Sequence, residues 1–380
     1  MIKCVIWDID NTLLHGVYLE SGPQLPAADA AMTGVLAELA DRGIVHALAS
    51  RNPPAAAEYV RTLTGHRFAA AECGWGTKSD AIRRILADLD LAADAVAFVD
   101  DDALERAEVS FALPDLTVLA PPDLADATSW PAFSPPTITD EARRRGELYL
   151  DRRRRQQEAS AFGGSRDDFL RYCRTKVVIA RASAADLPRL HELSVRTHQF
   201  NSAGAPVSED RLAELLSSAA HQLITVRLTD RFGDDGLVGG CIVATASPAP
   251  GDQAGPSKAP VSWSVPLLMM SCRAMGRGVI DALLAWLCRA ASRAGADQLT
   301  LPCVLNERNV PLRIALTGAG FRAAPVPAPT PVRTAEYTRG LNGSLPDLPA
   351  WVAEHSDSAS PETASPETAS PETGRPASEK

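Results

Sequence analysis

The apolar positions of the first 120 residues fall into two alternating rhythms. CVIW is a short unbroken apolar run, as a strand buried on both faces requires, and IVHALAS, AVAFVDD and LTVLA read as further strands. Between them, residues 28–42, 54–64 and 79–89 carry apolar side chains three to four apart, the helical spacing, and Gly43 supplies a C-cap for the first. Strands separated by helices predict a parallel sheet covered on both sides. The segment 121–136 is Pro-rich and reads as a linker. Residues 141–157 form a strongly charged helix with Arg152 to Arg155 in a row. This pattern suits a solvated helix better than a dock for an acidic partner.

A second pattern begins near residue 176. KVVIARAS is a strand and 186–197 an amphipathic helix. Residues 222–229 and 237–247 pair as strands around DRFGDDG. WSVPLLMMS is a strand that runs through CRAMGRGV into a long helix ending near residue 294. Residues 299–303 form another strand and 310–317 a short helix. GDQAGPSKAP, before WSVPLLMMS, reads as a loop insertion. ASPET, three times over residues 359–373, places Pro every five residues among few apolar groups and predicts a disordered tail. The expected organisation is 1–122 as a first α/β domain, 123–172 as linker and charged helix, 173–343 as a second α/β domain and 344–380 as the tail.

Composition narrows the function classes. With 380 residues and 45% hydrophobic content, two cores can be filled. The net charge of −9 argues against a nucleic-acid partner, and no run approaches the ~20 apolar residues of a membrane span. The seven cysteines form no CxxC pair, and without a signal-like N-terminus they suit reduced thiols in a cytoplasm.

The chemistry-bearing residues lie where strands end. Asp8 and Asp10 stand two apart in DIDNT, so both carboxylates can flank one phosphoryl group, one attacking phosphorus and the other moving protons. Ser50 ends the second strand, with Asn52 beside it, as phosphate donors. Lys78 opens a helix and can neutralise a pentavalent phosphorus. Asp100 and Asp101 end a later strand, with Glu105 following. Hard oxygen ligands beside a phosphate favour Mg²⁺. These four segments, in order, resemble the haloacid-dehalogenase (HAD) superfamily. The resemblance makes Asp8 the nucleophile and Asp10 the general acid/base, and has Thr12 support the loop. The metal then falls to Asp8, the Asp10 carbonyl and Asp101, with Asp100 and Glu105 behind them. No long insertion follows DIDNTLLHGVYLE, so no large cap is expected.

In the second half, RAMGRG fits the R-x-x-G-x-G pattern of GNAT acyltransferases. Arg273, Gly276 and Gly278 are the candidate contacts to a phosphate at a helix N-terminus. Cys272, just before this loop, faces the place of a thioester carbonyl in that fold, and His198 in RTHQFNS is a candidate base. Asn201, Arg196 and Asn309 are further candidate ligand contacts.

Together the halves, over residues 2–340, resemble the FkbH-like family. The segments that carry the resemblance are KCVIWDIDNTLLHGV, ALASRN, WGTKSDAIRRI and FVDDDALERAEV in the first half, and RTHQFNS, LLMMSCRAMGRGV and NERNVPLRIALTGAGF in the second. The sequence departs from the usual pattern at Arg51 and Asp102, where Lys and Asn are common. The resemblance implies an enzyme that takes D-1,3-bisphosphoglycerate and captures its glyceryl group as a thioester on Cys272. It then removes phosphate at Asp8 and loads the phosphopantetheine arm of an acyl carrier protein for polyketide methoxymalonyl or tetronate units. The alternatives are a simple HAD phosphatase with a regulatory or CoA-binding second domain, a true N-acetyltransferase, and an inactive carrier-binding scaffold.

Overall fold

The computed structural model describes residues 1–20, 24–135, 137–245, 261–326, 333–349 and 351–354. The GDQAGPSKAP insertion and the ASPET tail lie outside the described residues.

The first unit runs β1 (Cys4–Trp7), α1 (Ala30–Asp41), β2 (Val45–Ser50), α2 (Pro54–Thr64), β3 (Ala70–Cys73), α3 (Lys78–Leu89), β4 (Val96–Val99), α4 (Ala103–Ala112) and β5 (Thr117–Leu119). Its five strands are all parallel, in the order β3-β2-β1-β4-β5. Every residue of β1 and β2 is buried. Alternate side chains explain this: Val5, Trp7 and Leu48 point into a core with α1, while Cys4, Ile6 and Ala47 point into one with α3.

The Pro-rich stretch, expected as linker, folds instead. It forms α5 (Pro121–Ala127) and a short turn, and Leu124, Ala127 and Phe133 bury themselves in the core beside α1. Then come α6 (Asp140–Arg143), α7 (Arg145–Ala161) and α8 (Arg166–Tyr172). The charged helix α7 is not simply solvated, because Arg145 and Arg155 are buried. Arg155 holds Asp230 at 2.6 Å and 3.1 Å, and Tyr149 of the same helix enters the core around β1. The helix is thus a strut packed against both sheets.

The second unit runs β6 (Lys176–Arg181), α9 (Leu187–Arg196), α10 (Glu209–Ser217), β7 (His221–Asp230), β8 (Gly233–Thr245), β9 (Ser262–Met270), α11 (Val279–Arg293), β10 (Gln298–Val304), α12 (Val310–Gly318), β11 (Arg322–Val326), β12 (Thr334–Gly340) and β13 (Val352–Glu354). These strands form one sheet in the order β11-β12-β10-β9-β8-β7-β6-β13. The antiparallel meander β6-β7-β8-β9 meets β10 in parallel. That pairing covers only Gln298 to Thr300 against Ser262 to Ser264, and beyond it the two strands part. The chain is therefore an α/β protein, a parallel sheet followed by a mixed sheet.

Candidate functional site

Strand β1 sits where the chain changes direction of growth: β2 and β3 add on one side, β4 and β5 on the other. Ligands of open α/β sheets bind beyond the strand ends at such a switch point. Trp7 pairs with Val99, so the next residues, Asp8 and Asp100, leave neighbouring strands side by side. Thr77 caps α3 and puts Lys78 in its first turn, from where Nζ reaches Asp8 Oδ1 at 2.5 Å and Asp100 Oδ2 at 2.7 Å. All three are buried. Burial pushes Asp8 up to about 6, against the pull of Lys78. Burial alone would lower Lys78, but attraction from Asp8 and Asp100 outweighs it and the ammonium is held above its ordinary range.

Asp8, Asp100 and Asp101 each offer a carboxylate oxygen, all within 4.8 Å of one another. Burial and the Asp100 charge both raise Asp101. Three hard oxygen donors that repel one another in this way fit Mg²⁺, which would relieve the repulsion. Asp100, expected behind the metal ligands, stands among them. The Asp10 carboxylate turns elsewhere: Oδ1 accepts from Tyr18 N at 2.9 Å and Oδ2 from Asn52 Nδ2 at 2.8 Å. Asn52 also donates to Ser50 Oγ at 3.0 Å, so Ser50, Asn52 and Asp10 form one chain of contacts at the ends of β1 and β2. Thr12 is buried below, its Oγ1 without a partner among the described residues. Glu105 pairs with Arg51 at 2.8 Å.

Cys272 lies elsewhere. It follows β9 and lines a cavity of about 500 Å³ between the two units, together with His198, Arg273, Arg196, Arg189 and Lys3. Ser271 donates its backbone N–H to Val238 O, which fixes the turn in which Cys272 sits. Arg189 and Arg145 share Glu192, which also accepts from Thr139 Oγ1 at 2.6 Å. The Glu192 carboxyl is buried, which alone would raise it, but the arginines hold it down at about 2. Arg196 and Arg273 form no such ion pair among the described residues. In each, Nη1 is buried without a hydrogen bond among the described residues. Burial, with Arg145 near the first and Arg189 near the second, lowers Arg196 to about 9 and Arg273 to about 10. Lys3 is brought down to about 8 by burial and by Arg196. His198 falls to about 4 through burial and the Lys3 charge, so it is a neutral imidazole at pH 7. The acidic members of the lining are Asp90, Asp94 and Glu307, of which Asp94 pairs with Arg308 at 2.7 Å.

His198 and Asn201 belong to one segment with different fates. His198 is exposed and lines both this cavity and a second of about 450 Å³. Asn201 is buried and engaged with backbone: Oδ1 accepts from Ala203 and Gly204, and Nδ2 donates to Ser194 and Thr197 carbonyls. It holds the turn that carries Phe200–Ser202 into the gap where β9 and β10 part. Phe200 O accepts from Met270 N, Ser202 N donates to Leu268 O, and Val304 N donates to Ser202 O. Asn309 serves the end of β10, its Nδ2 donating to Val304 O at 2.5 Å and facing Cys303 Sγ.

In the glycine loop, Gly276 and Gly278 adopt φ +73° and +68°, and Gly278 caps α11. The ring of Trp351 lies against Gly278, close enough that a Cβ there would meet it at 2.8 Å, and Arg166 donates to Gly276 O at 3.0 Å. Arg277 turns inward to Asp230 and Asp235. The sequence did not single out Lys3, Arg145 or Arg189, because a cation at a strand start or on a helix carries no mark of whether it faces solvent or a cavity.

No protein-family profile matches the chain, and no curated protein matches it. Among solved structures, the N-terminal part of protein BF1531 from Bacteroides fragilis, containing a phosphatase domain complexed with Mg, is 29% identical. The match covers 33% of this chain and 38% of that one at a TM-score of 0.30, so this chain spans well under half of that protein's length. A GNAT-family protein from Desulfovibrio desulfuricans is 19% identical over 43% of this chain and 99% of its own, at 0.34. The ribosomal-protein-S18-alanine N-acetyltransferase of Escherichia coli is 16% identical over 44% and 96%, at 0.33. At these scores the likenesses carry nothing about activity. Among the described residues, no helix is long and apolar enough to cross a membrane.

Proposed function

We propose that the chain is a bifunctional glyceryl transferase and phosphatase of the FkbH-like kind, taking D-1,3-bisphosphoglycerate and delivering glyceryl to an acyl carrier protein in a polyketide pathway. The observation that carries this reading is the setting of Cys272: a thiol in a cavity with Arg196 and Arg273, each of which keeps a buried Nη1 without a hydrogen-bond partner among the described residues. A buried guanidinium N–H without an acceptor is costly, and a phosphorylated acyl phosphate supplies acceptor oxygens at each end. The Cys272 sulfur attacks the C1 carbonyl, the C–S bond forms, and the bond to the 1-phosphate breaks. His198, neutral at pH 7, is placed in the same cavity to take the thiol proton.

At the other site Asp8 attacks the 3-phosphate while Lys78 neutralises the charge that builds on phosphorus. Asp10, held by Tyr18 and Asn52, moves the proton. Mg²⁺, when bound by Asp8, Asp100 and Asp101, supplies further positive charge to the phosphate oxygens.

The test is intact-protein mass spectrometry with Mg²⁺, D-1,3-bisphosphoglycerate made in situ and a holo-acyl carrier protein. Wild type is expected to load glyceryl on the carrier, and Cys272→Ala to load none. Free phosphate with no adduct on enzyme or carrier overturns the transferase reading in favour of a simple phosphatase.

A further inference from the structure

Both units build the cavity of Cys272. The second unit supplies Arg196 at the end of α9, and Cys272 and Arg273 after β9. The first unit supplies Lys3 just before β1, and Asp90 and Asp94 before β4. Lys3 is held from three sides. Its backbone N–H donates to Ala95 O at 2.7 Å, its carbonyl accepts from Val45 N at 2.9 Å, and its Nζ donates to Arg196 O at 2.9 Å. Any residue at the head of β1 could make the two backbone bonds. The side chain that crosses to the second unit is what requires lysine.

An ammonium has three N–H donors. Among the described residues that of Lys3 makes one hydrogen bond and no ion pair, so two donors are left for what fills the cavity. Asp94, the carboxylate of the lining that raises Lys3, already pairs with Arg308 at 2.7 Å. The other charges that act on Lys3 are Arg196 of α9 and Arg145 of α7, which lower it, and Cys272, which raises it. His198, Arg308 and the Met1 amine share that corner. A thiolate at Cys272 raises Lys3, so the two groups feel each other's charge within one cavity. A phosphate expelled from C1 by the Cys272 sulfur develops its charge beside that sulfur. Lys3 is the cation with spare donors that answers to it.

Resting on the transferase reading above, we propose that Lys3, from the first unit, is a catalytic residue of acyl capture: its ammonium holds the 1-phosphate of the substrate and neutralises it as it leaves. The step balances. Cys272 Sγ bonds to C1, and the C1–O bond breaks with its electron pair going to the departing phosphate. The thiol proton passes to His198, and Lys3 keeps its own proton throughout. The acyl site is therefore incomplete without the first unit. Lys3 stands at about 8 in the empty cavity. Its charge is present below that value and lost as pH rises through it. The second-order rate constant of acylation reports the free enzyme, so it loses the help of Lys3 over the same range.

The experiment times acyl adducts on the full chain by intact mass, without carrier, across pH. Two donors are used: D-1,3-bisphosphoglycerate made in situ, and acetyl phosphate, which has the acyl phosphate but no 3-phosphate. Acetyl phosphate is scored by its own adduct and by competition with the first donor. No adduct on wild type that Cys272→Ala removes would sink the transferase reading, and this proposal with it. With that adduct established, Lys3→Gln is expected to acylate on the order of 100-fold more slowly at pH 7 and to bind acetyl phosphate more weakly. Lys3→Arg, which keeps the charge, is expected to restore most of the rate and to hold it above pH 8, where wild type falls toward Lys3→Gln. A Lys3→Gln protein as fast as wild type overturns the proposal alone. A loss with bisphosphoglycerate but none with acetyl phosphate overturns it as well, because Lys3 then holds the 3-phosphate. Should Lys3→Gln fail to fold, the ratio of wild type to Lys3→Arg decides: a fall above pH 8 supports the proposal, and a ratio constant with pH makes Lys3 a structural tie only and overturns it.

Discussion

Lys78 Nζ lies 2.5 Å from Asp8 Oδ1 with both side chains shut away from water, and Asp8 is nevertheless pushed up to about 6. Desolvation of the carboxylate outweighs its ion pair. A native-state value above the ordinary 3.8 means that the folded protein binds the extra proton between those limits. Stability of the metal-free protein therefore falls as pH rises through about 4 to 6 and is level above. Urea unfolding in EDTA should show wild type losing stability relative to Asp8→Asn between pH 4 and pH 7. Excess Mg²⁺ should remove the loss, since a cation favours the carboxylate. An equal gap at both pH values in EDTA counts against this account of the site.

Glu192 carries the opposite sign. Its carboxyl, held at about 2 against its own burial, stabilises the fold above the ordinary glutamate value and loses that contribution as pH falls toward 2. It bonds Arg145, Arg189 and Thr139, joining the segment after the first sheet to α9. Glu192→Ala leaves two buried guanidinium groups without their counter-charge and should cost about 3–5 kcal/mol. Equilibrium unfolding at pH 7 measures it, and a loss under 1 kcal/mol would show the cluster to be hydrated.

Asn201 lies at the edge of the second cavity, but its side chain is engaged with backbone at Ser194, Thr197, Ala203 and Gly204. Asn201→Ala should therefore act through stability, by about 1–3 kcal/mol, because these buried groups lose their partners. Acyl capture at Cys272, measured per folded molecule at low temperature, should keep its KM. A raised KM in a protein of unchanged stability would make Asn201 a substrate contact instead.

The legible parts of the chain were those where one rule dominates. The core strands β1 and β4 are unbroken apolar runs and β2 is one broken only by His46, and Asp8, Ser50 and Asp100 follow from where those runs end. Other elements were hidden by their own packing. In α4 only Glu105 and Val109 are buried while Leu104 and Phe111 face solvent, so the apolar spacing that marks a helix is scrambled. In β3 the sequence AAEC has no alternation to read. The cavity around Cys272 was the least legible, because it is assembled from residues 3, 90, 189, 196 and 272 by tertiary packing. The burial of α7 was missed for the same reason: Arg145 and Arg155 look like solvent charges until the carboxylates of Glu192 and Asp230 meet them.

The unpartnered Nη1 atoms of Arg196 and Arg273 lead to a prediction with two opposite signs. Each guanidinium is desolvated enough to fall to about 9 or 10, so each costs stability in the empty protein. Arg196→Gln and Arg273→Gln should therefore melt no lower than wild type without ligand, and each should melt higher if the Gln amide packs. With 3-phosphoglycerate the order reverses. The ligand's phosphate and carboxylate complete the missing charge-assisted bonds in wild type, and binding to the folded state alone raises its melting temperature. Each variant should lose at least half of that rise. Melting curves taken in EDTA, which keeps Mg²⁺ from Asp8, Asp100 and Asp101, isolate this cavity. Equal ligand-induced shifts in all three proteins would mean that the two arginines do not face the anion. A lower melting temperature in the ligand-free variants would mean that water already satisfies them.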